Sequence, residues 1–295
     1  MGYEYLALGA AFLWAVSTLL SVQPASHLGS FAYSRWRMAC SALMLSLLAW
    51  WTGGWQSFEA WALLPMALSG ITGIFIGDTA LFACFNRMGP RQAGLLFSCH
   101  AVFSALLGYW IFSETMTAWE LFAALLVFSG VVTAIFFRSK KPTHQLENLK
   151  GSMVVGVSLG LLSALCQALG GIFAKPVVDT GGIDPIAASA IRMITAFVAH
   201  GALWLLGFKV TRALRPINVR IFAMTVLNAL LAMVIGMTLI LFALQKGDVG
   251  MVALLSSMTP IMLLPLLWFY TKQQPSIYAW CGAIIAVIGS AILVS

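Results

Sequence analysis

Charge is what this chain has least of. Only 8% of its 295 residues are Asp, Glu, Lys or Arg, and nine are acidic, whereas a water-soluble domain carries about 25% charged residues. At 61% hydrophobic and a mean hydropathy of +0.96, it has too few polar groups to cover a surface in water. That excludes a soluble globule. No C-x-x-C pair occurs, and all five cysteines (Cys40, Cys84, Cys99, Cys166, Cys281) lie in apolar stretches, which argues against a disulfide framework or a zinc site. A Gly-rich phosphate loop and a long polar segment are both missing, so nucleotide-driven work by this chain alone is excluded. Short alternating strands are missing too; the apolar runs are about twice too long for tilted transmembrane strands. Neither metal-ligand spacing nor a nucleophile–base arrangement is visible, so no enzyme, metal or cofactor is expected.

What is present is a succession of apolar runs of the length that crosses a bilayer, about 20 residues. The expected spans are 4–22, 32–51, 62–85, 93–112, 118–137, 151–174, 185–206, 219–243, 249–270 and 276–294, punctuated by turn residues such as Gly89-Pro90, Gly181-Gly182 and Pro275. The first run, Tyr5–Val22, lacks the basic n-region of a signal peptide, since only Glu4 precedes it. The expected fold is an all-α integral membrane protein of ten transmembrane helices.

The second half of the chain repeats the first without gaps. Gly77 matches Gly236, Thr79 matches Thr238, Ser98 matches Ser257 and Gly130 matches Gly289, each 159 positions on. The expected organisation is a five-helix repeat over 1–137, a polar linker over 138–150 and a second five-helix repeat over 151–295, enclosing a central cavity. Five spans per copy make the second copy enter from the opposite side, so the repeats are expected to be inverted. The net charge of +7 reads as membrane orientation rather than nucleic-acid binding. Arg35, Arg37, Arg87, Arg91, Arg138, Lys140, Lys141, Lys150, Lys209, Arg212, Arg215, Arg220 and Lys272 fall on one face, against Lys175 and Lys246 on the other. The positive-inside rule then puts both termini outside and the linker in the cytoplasm of a cell (inner or plasma) membrane.

These features resemble the EamA-type, ten-helix transporters of the drug/metabolite transporter superfamily. The likeness rests on Gly9-x4-Trp14, Arg37, Ala93–Leu96, Glu114 and Gly130 in the first half. In the second it rests on Gly160, Lys175, Arg192, Ala253–Leu255, Pro260 and Gly289. Three departures stand out: Ala101 replaces the proline kept as Pro260, Gln273 replaces a second glutamate, and the basic loop between spans 2 and 3 is missing. The resemblance implies a cavity lined mainly by spans 1, 3, 4, 6, 8 and 9, and alternating access by rocking of the halves.

Polar groups at membrane depth cost at least about 2.5 kcal/mol when charged, so each needs a partner or a task. At about 1.5 Å per residue, Arg37, Asp78 and His100 all fall roughly 8–12 Å deep on one side. They read as a substrate-anchoring or proton-linked cluster, or as an ion pair fixing span 2 against span 3. Arg37 recurs as Arg192, which favours the scaffold reading for both; Lys175 is a further scaffold cation or anion anchor. Asp78 and His100 face Met237 and Thr259 in the other copy, so the pair is asymmetric and a candidate for proton coupling. Trp14, Ser98, Gln167, Asn228, Ser257 and Thr259 complete the candidate substrate-binding set, and His200 reads as packing. The glycines of Gly70-x-x-Gly73 and Gly73-x-x-x-Gly77 read as close helix contacts.

The expected activity is secondary active export of small metabolites, amino acids or related amphipathic compounds, by a monomer or homodimer in the bilayer. The rivals are an organic-cation or drug exporter and a channel-like facilitator. A nucleotide-sugar or phosphate exchanger is disfavoured, because Arg37, Lys175 and Arg192 are the only cations available at depth.

Overall fold

The computed structural model describes residues 2–115, 117–136, 152–271 and 277–294. Among these the chain is helical, with no strand, as backbone that must satisfy its own hydrogen bonds in lipid requires. We number the helices α1 (Tyr3–Leu28), α2 (Ser30–Trp51), α3 (Ala60–Met88), α4 (Pro90–Ser98 and His100–Phe112), α5 (Ala118–Phe136), α6 (Met153–Asp179), α7 (Pro185–Leu205), α8 (Val219–Leu244), α9 (Val249–Ser256 and Thr259–Thr271) and α10 (Ile277–Val294). Seven of them, α1, α3, α4, α6, α7, α8 and α9, are long and apolar enough to cross a membrane. The linker expected over 138–150 lies outside the described residues.

Sequence dictates the joints locally. Gly29 and Gly89, both at φ 83°, turn the chain from one helix into the next without an intervening loop, a backbone region where a Cβ is disfavoured. Asp184 starts α7 by accepting hydrogen bonds from Ile186 N (2.7 Å) and Ala187 N (3.2 Å), with Pro185 at the first helical position. Asn218 does the same for α8 through Ile221 N at 2.9 Å.

Two irregularities recur at matching places. The middle of α3 winds as a π-helix over Gly70–Asp78, and the middle of α8 does so over Ala229–Met237. These segments are related by the 159-residue offset, residue for residue. Helix α4 breaks at Cys99 and α9 breaks at Ser257–Met258. Two spans are therefore interrupted at matching places, each beside residues that line the cavity described below; in span 9 the prolines Pro260 and Pro265 already suggest a bend.

The halves interlock by exchange. Ser69 Oγ donates to Gly170 O of α6 (2.6 Å), and Asn228, its counterpart, donates through Nδ2 to Ser17 O of α1 (2.7 Å). Gly73 lets α3 meet α6, where an added Cβ would lie 3.3 Å from Gly170 Cα. A close pairing also joins α5 to α10. A Cβ on Gly130 would stand 2.5 Å from Ala286 N, and one on Gly289 would stand 2.8 Å from Val127 N. Small residues thus bring backbones together where no hydrophobic force separates helix from lipid.

The apolar core occupies the half of the bundle holding the N-terminus of α1, the end of α8 and the start of α9. Ala7, Ala10, Leu241, Leu244, Val249, Val252 and Leu255 are buried there in one cluster.

Candidate functional site

A cavity of about 80 Å³ lies between the halves, in the half of the membrane span that faces the α1–α2, α3–α4 and α7–α8 connections. On α1, Trp14, Ser17, Thr18 and Ser21 line one helical stripe; Arg37 enters from α2. Helix α3 supplies Asp78, Phe82 and Phe85, α4 supplies Phe97, Ser98 and His100, and α6 supplies Gln167. Opposite them stand Asn228 and Met237 of α8, with Ser257, Thr259 and Pro260 of α9. The eight candidate substrate residues named from sequence thus share one cavity with Arg37. Arg192 and Lys175 do not line it.

Arg37 Nη1 donates to Asp78 Oδ2 at 3.0 Å, and both side chains are buried. The guanidinium carbon of Arg37 also sits 4.9 Å above the Phe82 ring. The π-helical segment ends at Asp78, so the wider turn sets the angle at which this carboxylate meets α2. Arg192 is buried nearby on α7, its Nη2 lying 3.5 Å from where a Cβ on Gly73 would stand. One carboxylate therefore serves a region holding two buried guanidiniums.

Partner accounting divides the other residues. Ser98 Oγ donates to Gly94 O (3.0 Å) and reaches Ser257 O at 3.5 Å, so the two repeat-related serines meet each other. Ser257 Oγ donates to Leu254 O (2.6 Å) and Thr259 Oγ1 to Ser256 O (2.9 Å). These hydroxyls spend their protons on their own broken helices. Trp14 Nε1 donates to Ala232 O (3.1 Å), a carbonyl of the α8 π-segment, and its ring meets Phe97 edge-on. Four wall residues keep a buried polar atom with no hydrogen-bond partner among the described residues: Ser17 Oγ, Arg37 Nε, His100 Nε2 and Asn228 Oδ1. Gln167 also makes no hydrogen bond to the described residues. Buried polar atoms rarely go unpaired, so this wall is chemically unfinished.

Away from the cavity, Lys175 Nζ donates to Asp179 Oδ1, Leu244 O and Gly247 O, each at 3.0 Å. All three of its protons are used: two tie the end of α8 and the turn after it to α6, and the third stays within α6 at Asp179. Glu114 spans the halves, accepting from Val249 N (2.9 Å) and Gly250 N (3.3 Å) at the start of α9. Burial raises its carboxyl above the ordinary value, against the two amides that lower it. The repeat counterpart of Val249 is Pro90, which has no N–H to give. His200 bonds Thr79 Oγ1 at 3.3 Å between the rings of Phe31 and Phe75, which is packing.

Sequence reading missed Ser17, Thr18 and Ser21. A signal existed: with Trp14 they repeat at helical spacing along an otherwise apolar run. Phe82, Phe97 and Met237 carried no signal, since aromatic and sulfur side chains are everywhere in these spans.

A model of the EamA-like transporter family matches residues 1–136 and again residues 154–295. The chain belongs to that family. As an EamA-like transporter it is a multi-pass membrane protein built from two copies of one unit, and the cavity lies where those copies meet. A solved crystal structure, described only as that of a protein, superposes with TM-score 0.77 over 98% of this chain and 95% of its own, at 17% identity. That likeness shows the fold. No curated protein matches the chain's sequence.

Proposed function

We propose that this EamA-like transporter is a secondary active exporter of small amphipathic metabolites, amino acids or related compounds. It works by alternating access between two inverted halves of five helices, with both termini extracytoplasmic. The observation that carries the reading is the unfinished polar wall. Ser17, Arg37, His100 and Asn228 each hold an unpartnered atom beside the rings of Trp14, Phe82 and Phe97. A solute with a polar end and an apolar body supplies what both parts of such a wall need. At roughly 15 Å³ per water on this measure, the cavity of about 80 Å³ admits only about five waters. A metabolite must part the walls to enter, which couples its binding to movement of the broken helices α4 and α9.

The sidedness supports a state closed toward the exterior. There the apolar cluster is continuous and Glu114 holds α9, whereas Pro90 cannot hold α4 in the same way on the other side. An organic cation is the poorer fit, because the carboxylate that would receive it, Asp78, is already engaged by Arg37.

The test is a thermal-shift screen of amino acids, polyamines, cationic drugs and sugar phosphates on purified protein, followed by counterflow in proteoliposomes. Stabilisation and saturable counterflow by zwitterions are expected. A response confined to polyamines and cationic drugs, or flux without saturation or counterflow, would overturn the proposal.

A further inference from the structure

A groove on the lipid-facing surface, separate from the central cavity, has the form of a headgroup site. It measures about 610 Å³ and runs between the start of α2 and the end of α7, lined by Arg35, Trp36, Phe197, Gly201, Trp204 and Leu205 among others. Small residues make the notch: a Cβ on Gly201 would meet nothing within 4 Å, and Ala39 and Ala202 flank it. Trp36, Phe197 and Trp204 are exposed along its walls.

Its polar end is organised rather than merely charged. Arg35 Nη1 donates to Thr211 O at 3.1 Å, and its guanidinium lies 5.0 Å over the Trp204 ring. Those two contacts fix the plane of the group and leave its other N–H donors available. The connection that follows α7 adds Lys209, Arg212 and Arg215, all exposed, and contains no acidic residue. A fixed guanidinium, a basic rim and an apolar slot below it are complementary to a phosphodiester carrying acyl chains. Free phosphate would leave the slot unused, and a zwitterionic lipid brings its own cation to a rim that has no anion for it.

We propose that this groove binds one anionic glycerophospholipid from the surrounding leaflet, with the phosphate on Arg35 and an acyl chain along Gly201. Basic pockets between transmembrane helices are known to hold such headgroups. The inference depends on the membrane setting alone and stands or falls apart from the transported substrate.

Native mass spectrometry of the full-length protein tests it, with dioleoyl-phosphatidylglycerol and dioleoyl-phosphatidylcholine offered in equal amounts. The wild type is expected to retain phosphatidylglycerol selectively, Arg35→Gln to lose that selectivity, and Gly201→Leu to lose the adduct. Gly201→Leu projects into open space, so it also tests the proposal if Arg35→Gln fails to fold. Equal retention of both lipids by the wild type overturns it, as does selectivity that survives Gly201→Leu. Disulfide-linked dimers of Val198→Cys in membranes would assign the groove to a second copy of the chain instead.

Discussion

Replacing Asp78 by Asn keeps its shape and removes the only carboxylate bonded to Arg37 among the described residues. Side-chain exposures of 5% for Arg37 and 7% for Asp78 leave little room for water to compensate. Breaking a buried pair from one side typically costs about 3–5 kcal/mol, because the remaining charge is uncompensated. Arg192 stands close by with no ion pair among the described residues, so Asp78→Asn leaves two guanidiniums without a described anion, and the upper part of that range is expected. Arg37→Gln leaves Asp78 with Arg192 still near and should cost less. The double variant pairs two neutral amides and should cost less than the sum of the singles, by about 2–3 kcal/mol, near the top of what contacting residues show. The assay is reversible unfolding of the purified protein in mixed detergent micelles, run on all four members of the cycle. Additivity to within about 0.5 kcal/mol, the behaviour of independent sites, would refute the account of Arg37 and Asp78 as one unit.

Other expectations follow from the same geometry. In proteoliposomes, Asp78→Asn should abolish dependence of transport on a pH gradient; unchanged coupling would remove Asp78 from any proton path. Gly130→Leu should prevent assembly of the folded protein, because backbone of α10 lies 2.5 Å from where its Cβ would sit; a normal yield with wild-type mobility on size exclusion would contradict the packing described. Burial raises the Glu114 carboxyl above its ordinary value of 4.5, so the folded state holds that proton more tightly than the unfolded chain. The stability tied to it is complete below pH 4.5 and lost as pH rises through the raised value. Glu114→Gln should flatten that part of the pH–stability profile, and an unaltered profile would discount the effect. A cysteine placed within 138–150, in a cysteine-free background, should resist an impermeant reagent in intact cells; ready labelling would invert the orientation.

Much of this arrangement was legible because the bilayer imposes it. Apolar runs of spanning length leave helices as the only option, and an exact offset between Gly77 and Gly236 declares the duplication. The convergence of Trp14, Asp78, His100 and Asn228 on one cavity could be approached by counting depth along each helix, since depth is linear in residue number. Azimuth is not. Whether Arg37 points at Asp78 or past it depends on the π-helical winding of Gly70–Asp78, which no apolar periodicity announces, because the segment is apolar all round. The breaks in α4 and α9 were hidden for the same reason: neither Cys99 nor Ser257 is a helix breaker by composition. Proline gave only a partial cue at Pro260, and none at its counterpart, Ala101. Lys175 was read as a scaffold cation or an anion anchor, and three neighbouring oxygens decide how its protons are spent.

The reciprocal glycines of α5 and α10 carry one more consequence. Gly130 sits against Ala286 while Gly289 sits against Val127, so each copy holds the other by the same grip. A seam that tight has no slack to slide, and it belongs to neither the cavity nor the Glu114 clamp. In the alternating access proposed above, this seam is the fulcrum and α3–α4 and α8–α9 are the lever arms that travel. Each copy supplies its twin with half of that pivot.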